Sequence, residues 1–130
     1  MRTALWPESP TDHPVEIDHF FANPRSDLAT FVIENDAGTV CGFLEAGTRD
    51  YAEGCLSSPV GYIEGWWTEP KARRRGYGAA LVGAAEQWAR DLGLTEMASD
   101  ADLNNDISIS AHRSLGYADV QKIVCFRKSL

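Results

Sequence analysis

Apolar and polar positions recur along this chain with two different periods, which indicates a mixture of strands and helices. Residues 28–33, 40–46 and 60–68 are short β-prone runs. The turn sequence Asn-Asp-Ala-Gly at 35–38 separates the first two runs, so they are predicted to form a hairpin. The third run is predicted to stop at Pro70, because proline has no N–H to donate to a strand ladder.

Helical spacing is clearest over residues 78–92. One face of this segment carries Leu81, Ala85, Trp88 and Leu92, at steps of three and four residues. The glycine at 93 suits the C-terminal cap of this helix.

Two further helices are predicted on either side of that segment. Residues 11–22 begin with a Thr and an Asp and end before an Asn-Pro pair. In the other helix Asn105 or Asp106 caps the start and Gly116 ends it. Its predicted buried face consists of Ile107, Ala111 and Leu115.

Residues 95–99 and 120–127 are predicted as the remaining strands, so the order is helix, β, β, β, helix, β, helix, β. A mixed sheet with helices on its faces is the natural packing for that order, which places the chain in the α/β class (an α+β mixed sheet). There is no repeat or linker, and residues 1–130 are predicted to form a single domain.

The chain is acidic, with 19 Asp and Glu residues against 12 Lys and Arg and a net charge of −7. This balance argues against nucleic acid or an anionic membrane as a partner, and it favours a cationic small molecule. No apolar run reaches the ~20 residues of a membrane span. The three cysteines have no metal-like spacing, so we expect free thiols, a cytoplasmic location and no metal.

An anion-binding loop is predicted between the strand at 60–68 and the helix at 78–92. Glycines at 76 and 78 allow a close approach of backbone amides, and the helix N-terminus attracts negative charge. Neighbouring arginines add charge-assisted hydrogen bonds to phosphate oxygens. The alternative is a solvated arginine run before an ordinary helix. The predicted phosphate-binding residues are Arg73, Arg74, Arg75, Gly76, Tyr77, Gly78 and Ala79.

The pattern Arg73-x-x-Gly76-x-Gly78 resembles the pyrophosphate loop of the GCN5-related N-acetyltransferases (GNAT), and Asn105 and His112 match the second half of that family's pattern. The resemblance implies the GNAT acyl-CoA N-acyltransferase fold and acetyl-coenzyme A (acetyl-CoA) as cosubstrate. It implies that the strand before the loop splays from its neighbour and binds the pantetheine arm. By this resemblance the arm contacts Trp66, Trp67, Thr68 and Asn105.

Other segments resemble the aminoglycoside 6'-N-acetyltransferases, chiefly Ser-Pro-Val at 58–60, Glu-Gly at 64–65 and Met-Ala-Ser-Asp at 97–100. The resemblance implies transfer of acetyl to the 6'-amine of these antibiotics, and so antibiotic resistance, by a homodimer. It implies that Glu64 and Asp100 are the catalytic carboxylates. The substrate pocket is predicted to contain Trp6, Tyr51, Glu64, Asp100 and Gln121.

These roles suit the chemistry of an amine acceptor. An aliphatic ammonium has a pKa near ~10 and must lose a proton before it can attack a thioester. Glu64 is placed to take that proton, and Asp100 to pair with a ligand ammonium. Each residue also has a purely structural alternative. Glu64 is then a solvent-facing residue of a strand, Asp100 is a loop carboxylate, and Trp6 and Tyr51 are ordinary packing residues. His112 stands where many GNAT proteins have a tyrosine acid, and its part in proton transfer stays open.

Three features depart from the resemblance. Residues 1–6 correspond only to the last turn or two of the family's first helix, and roughly fifteen residues of its N-terminal strand and that helix have no counterpart. The cause is a late start site or a truncation, and a truncation would leave the strand at 28–33 as a bare sheet edge. Gln121 stands where relatives are expected to carry Glu, and Ser9 where some carry His.

The competing functions are acetylation of another amine (a polyamine, peptide N-terminus or metabolite) and a non-catalytic acyl-CoA-binding module.

Overall fold

Four strands form one mixed sheet in the computed structural model, which describes residues 1–8 and 11–130. The strands lie in the order β1-β2-β3-β4, with β1 at one edge and β4 at the other. The pairs β1–β2 and β2–β3 are antiparallel, and β4 runs parallel to β3. Their bounds are β1 Leu28–Glu34, β2 Val40–Arg49, β3 Val60–Thr68 and β4 Met97–Ser99. The mixed sheet agrees with the predicted fold class.

The helices also lie where their sequence signals place them. Gly93 and Gly116 both have positive φ, of +80° and +91°, where two of them end. Asn105 caps the last helix, because its Oδ1 accepts a hydrogen bond from the Ser108 N–H at 3.1 Å. The helices are α1 Arg2–Leu5, α2 His13–Ala22, α3 Tyr77–Asp91 and α4 Asp106–Ser114, with a 3₁₀ turn at Pro70–Ala72.

The main hydrophobic core lies between one face of the sheet and α3. From the sheet it takes Leu44, Ala46 and Ile63, all nearly inaccessible to solvent. From α3 it takes Leu81, Val82 and Ala85. This packing ties the anion-binding loop, which immediately precedes α3, to the strand that carries Glu64.

Three details of the sequence prediction are wrong. Residues 120–127 form no strand, because within the described residues β4 is paired to β3 alone and this segment has no strand beside it. Ile107 is 68% exposed, because it lies in the first turn of α4, before the part of that helix that turns inward at Ala111. Leu92 is 41% exposed, since it follows the last turn of α3.

Within the described part of the chain, no helix combines the length and the apolar character that crossing a membrane requires.

Candidate active site

A β-bulge places Glu64 outside the regular pairing of β3 with β2. Glu45 pairs with Gly65, but the next residue of β2, Ala46, pairs with Ile63. Glu64 is therefore an extra residue in β3, and its side chain turns outward while Ile63 stays in the core. Bulges of this kind commonly reorient a side chain beside an active site.

Strands β3 and β4 separate at the bulge. Pairing between β3 and β4 covers Gly61, Tyr62 and Ile63 and then ends. The end of β3, residues 65–68, is paired with β2 on its other side. Backbone groups of Trp66, Trp67 and Thr68 thus face a gap between β3 and β4, where an extended ligand can form strand-like hydrogen bonds.

The anion-binding loop lies at the end of this splayed strand. Gly76 is the N-cap of α3, in the left-handed conformation with φ +80°. The first amides of α3 have no carbonyl partner within the helix, and no side chain of the described residues caps them. The side chains of Arg73, Arg74 and Arg75 are exposed around this helix start. Amides and guanidinium groups in this arrangement can bind phosphate oxygens.

Close packing fixes the distance between this helix start and the splayed strand. A Cβ on Gly78 would lie 2.9 Å from Cζ2 of Trp66, so only glycine lets α3 approach the indole this closely. The Arg73 Nε–H also donates to the carbonyl of Thr68 at 3.2 Å. The loop and the gap between β3 and β4 therefore form one continuous surface.

Two carboxylates lie on the sheet side away from α3, each held by a neighbour. Arg49, the last residue of β2, donates to both oxygens of Glu64, with Nε–Oε1 at 2.9 Å and Nη2–Oε2 at 2.6 Å. The Tyr62 hydroxyl donates to Oδ2 of Asp100 at 2.7 Å. The Arg49 Cζ atom also lies 3.5 Å from the centroid of the Tyr62 ring, which joins the two pairs into one cluster.

The matched family model carries the description acetyltransferase (GNAT) family, and it covers residues 1–117. The chain belongs to this family.

Relatives that span the whole chain agree with this assignment. Aminoglycoside N(6')-acetyltransferase type 1 of Klebsiella aerogenes is 45% identical over 132 residues, covering 100% of this chain and 87% of that protein. The protein of the same name from Serratia marcescens is 40% identical, covering 100% and 89%. A solved structure of AAC(6')-Iy with the bisubstrate analogue CoA-S-monomethyl-acetylneamine superposes with a TM-score of 0.90, at 35% identity, covering 100% and 88%. The predicted membership and fold are confirmed.

Among the residues assigned to substrate by the resemblance to the aminoglycoside 6'-N-acetyltransferases, Trp6 packs onto the bulged strand. A Cβ on Gly65 would lie 2.3 Å from the Trp6 ring, so the indole rests on the strand backbone next to Glu64. Tyr51 is 69% exposed. Gln121 is exposed in the C-terminal segment, with no side-chain hydrogen bond to the described residues. Ser9 lies outside the described residues.

Two other positions of the GNAT pattern have structural partners. Asn105 uses its Oδ1 to cap α4, which leaves its Nδ2 amide available to a ligand. The His112 Nδ1–H donates to the Ser108 carbonyl at 2.7 Å, because a carbonyl can only accept. In the neutral ring with that proton on Nδ1, His112 Nε2 accepts from the Ser99 hydroxyl at 2.9 Å. His112 is thus held between α4 and β4 and packs edge-on against Trp66.

Sequence reasoning missed two residues that organise this site. Glu96 accepts from the backbone N–H of Leu56 at 2.8 Å and from the N–H and hydroxyl of Ser57. It thereby fastens the loop at 50–58, which carries Tyr51, to the sheet beside β4. The other is Arg49, whose signal was its basic character at the end of a strand directly before Asp50 and Tyr51.

Burial raises the pKa of Tyr62, and its hydrogen bond to Asp100 raises it further. The unfolded chain therefore loses this proton near pH ~10 while the folded chain keeps it. The contribution of protonated Tyr62 to the stability of the folded chain is fully present below pH ~10. It is lost as pH rises through the higher pKa that Tyr62 has in the folded chain. We expect the free energy of unfolding to fall as pH rises above about 10, and to fall less steeply in Tyr62→Phe.

Urea denaturation of both proteins between about pH 9 and 11.5 checks this. Comparison of the two slopes is needed because Tyr117, whose pKa is also raised by burial and by its hydrogen bond to Glu86, titrates in the same direction. Equal slopes in the two proteins would contradict the role assigned to Tyr62.

Proposed function

We propose that this chain transfers the acetyl group of acetyl-CoA to the 6'-amino group of aminoglycoside antibiotics. The observation that carries the proposal is the position of Glu64, placed by a bulge beside unpaired backbone groups of β3, at whose end the anion-binding loop begins. The relatives named aminoglycoside N(6')-acetyltransferase support the choice of acceptor.

The chemistry divides between the backbone and the carboxylates. The loop residues 73–79 bind the pyrophosphate of acetyl-CoA, and the free groups of residues 66–68 hold the pantetheine arm. Glu64 takes the proton of the acceptor ammonium, directly or through a water molecule. The neutral amine attacks the thioester carbonyl carbon and forms the new C–N bond. Backbone N–H groups stabilise the negative charge that develops on the carbonyl oxygen. The C–S bond then breaks and coenzyme A leaves as the thiolate, which takes up the second proton of the attacking nitrogen, directly or through water. The thiolate needs little acid assistance to leave because a thiol has a pKa near ~8.5.

The remaining predicted residues recognise the acceptor. Asp100 is exposed and supplies a second negative charge for an ammonium group of a polycationic drug. Trp6 offers a flat apolar surface next to Glu64, and Tyr51 lies in the loop that Glu96 fastens. Gln121 provides a neutral amide in place of a third carboxylate.

A thiol-release assay tests the proposed function. The purified protein is mixed with acetyl-CoA and, separately, with kanamycin, tobramycin, an aminoglycoside that carries a hydroxyl at the 6' position, spermidine and short peptides. Release of free thiol with the 6'-amino drugs alone is the expected result. The protein is kept at catalytic concentration, because its own exposed Cys125 also reacts with thiol reagents.

The other outcomes select the alternatives. Faster turnover of polyamines or peptides, measured as kcat/KM, would retain the acetyltransferase and reject the aminoglycoside as its acceptor. Binding of acetyl-CoA without turnover of any amine would favour a non-catalytic acyl-CoA-binding module.

We further infer a homodimer, a cytoplasmic location and a role in antibiotic resistance. Two features support the dimer: β4 is a free sheet edge in the described chain, and the C-terminal segment exposes Val124 and Phe126 at 75% and 92%. Free extended edges and exposed apolar side chains both favour association. Light scattering on the eluted protein checks the dimer, and a particle of single-chain mass would contradict it.

A further inference from the structure

The carboxylate assigned to proton transfer is already paired with a cation from its own chain. The Arg49 guanidinium forms a two-point ion pair with Glu64, with the closer contact at 2.6 Å. Geometry of this kind is typical of the strong pairing between arginine and a carboxylate. In the free protein the base is therefore engaged before any acceptor arrives.

Arg49 lies among the same groups that an acceptor ammonium would meet. Its guanidinium stacks on the Tyr62 ring, and the Tyr62 hydroxyl holds Asp100. The hydrogen bond to Glu64 raises the pKa of Arg49, and the charge of Asp100 adds to this. The guanidinium thus occupies a position bounded by both acidic residues and an aromatic face, which is the environment expected for a bound cation.

We propose that Arg49 is an internal substitute for the acceptor's ammonium group, and that a cationic acceptor must displace it from Glu64 to become acetylated. The inference rests on the proposed function, because it takes Glu64 to be the base that binds and deprotonates the ammonium group to be acetylated. It makes Arg49 a specificity-determining residue, because every acceptor competes with the same internal cation.

Chemistry distinguishes the internal cation from the substrate. A guanidinium does not lose its proton in proteins, so the pair with Arg49 is an idle form of the base. An ammonium with a pKa near ~10 can give its proton to Glu64, so the exchange of one cation for the other begins the reaction. The charge on Glu64 stays balanced throughout the exchange.

The ion pair is accessible enough for this exchange. The side chains of Arg49 and Glu64 are 42% and 38% exposed. An exposed pair typically shifts an equilibrium constant by no more than about fivefold, which a ligand with several contacts can overcome. Arg49 is also the last residue of β2, immediately before the loop at 50–58.

Calorimetry with kanamycin as the probe tests the proposal in the Arg49→Gln protein. We expect Kd to fall about threefold to tenfold, because the ligand no longer competes with an ion pair and a cation–π contact. The Kd of Arg49→Lys should lie between those of the wild-type and Arg49→Gln proteins, since a lysine ammonium cannot form a two-point ion pair with Glu64. In steady-state assays KM for kanamycin should fall while kcat is retained.

Arg25→Gln is the matched control. Arg25 forms the same two-point pair with Asp27, at 2.9 and 2.5 Å, and its loss changes net charge by the same amount. Kanamycin affinity should hardly change in this variant. A similar gain in both variants would overturn the proposal in favour of a general charge effect.

Two other results would also overturn it. The first is a Kd for kanamycin that is unchanged or higher in Arg49→Gln than in the wild-type protein. This includes the case where neither protein binds kanamycin. The second is a fall in kcat with KM unchanged, because it would make Arg49 a positioning residue for Glu64. Failure of the proposed function is seen separately, as absence of thiol release by the wild-type protein, since the calorimetric comparison needs no turnover.

Discussion

Replacing Glu64 by glutamine is expected to lower kcat by about 10²- to 10⁴-fold, the usual contribution of a positioned general base. Glutamine preserves the shape of the side chain and can still accept a hydrogen bond from Arg49, but it cannot take a proton at neutral pH. Thiol release with kanamycin measures the loss. Affinity for acetyl-CoA, measured by calorimetry, should be unchanged, because the loop at 73–79 does not involve Glu64.

Glu34→Gln is the control for this substitution, since Glu34 is an exposed carboxylate at the end of the edge strand β1. It should turn over acceptor at the wild-type rate. Loss of the exposed Arg49 ion pair costs at most about 1 kcal/mol, so Glu64→Gln should remain folded at assay temperature. Equal turnover by the wild-type and Glu64→Gln proteins would exclude Glu64 as the base.

Replacing Gly78 by valine is expected to weaken acetyl-CoA binding by at least about 10- to 100-fold, because the anion site depends on amides held at the start of α3. The first added carbon would already lie 2.9 Å from the Trp66 indole. That ring has little freedom to move, because it also packs against His112. The start of α3 must therefore shift away from β3. Calorimetric titration with acetyl-CoA measures the effect, and Gly78→Ala should give a smaller loss.

Gly83→Ala on the same helix is the matched control. A Cβ at Gly83 meets no atom within 4 Å. Alanine should therefore leave acetyl-CoA affinity unchanged and raise the free energy of unfolding by about 0.5–1 kcal/mol, as expected for replacing glycine inside a helix. Circular dichroism checks that Gly78→Val is folded. If the folded variant binds acetyl-CoA with wild-type affinity, the site does not require this close approach.

The local structure of the predicted anion-binding loop follows most directly from the sequence, while its binding of an anion stays a prediction. Its determinants are local: glycines, arginines and the start of a helix, all within one short segment. The left-handed conformation of Gly76 and the capping by Asn105 agree with preferences that depend on nearest neighbours. The resemblance to the GNAT family added the splayed strand, which no periodicity in residues 60–68 indicates.

Predictions failed where the outcome depends on a distant partner. Residues 120–127 contain the β-branched and aromatic residues typical of a strand, but a strand needs a neighbour to hydrogen-bond with, and the described chain offers none at that place. Ile107 is spaced like a core residue, but the first turn of α4 has no apolar surface packed against it. Spacing indicates which residues share a face, but it does not say whether anything covers that face.

The sequence by itself determined the family, the order of helices and strands as far as α4, and the glycine turn that begins α3, because each depends on short-range patterns or on matched motifs. The tertiary structure alone decided that Arg49 pairs with Glu64, that Tyr62 holds Asp100, and that the bulge turns Glu64 outward. Those contacts join residues 15 and 38 positions apart in the chain. They exist only because the register of β2, β3 and β4 brings them together, and register is set by the packing of the whole sheet on α3.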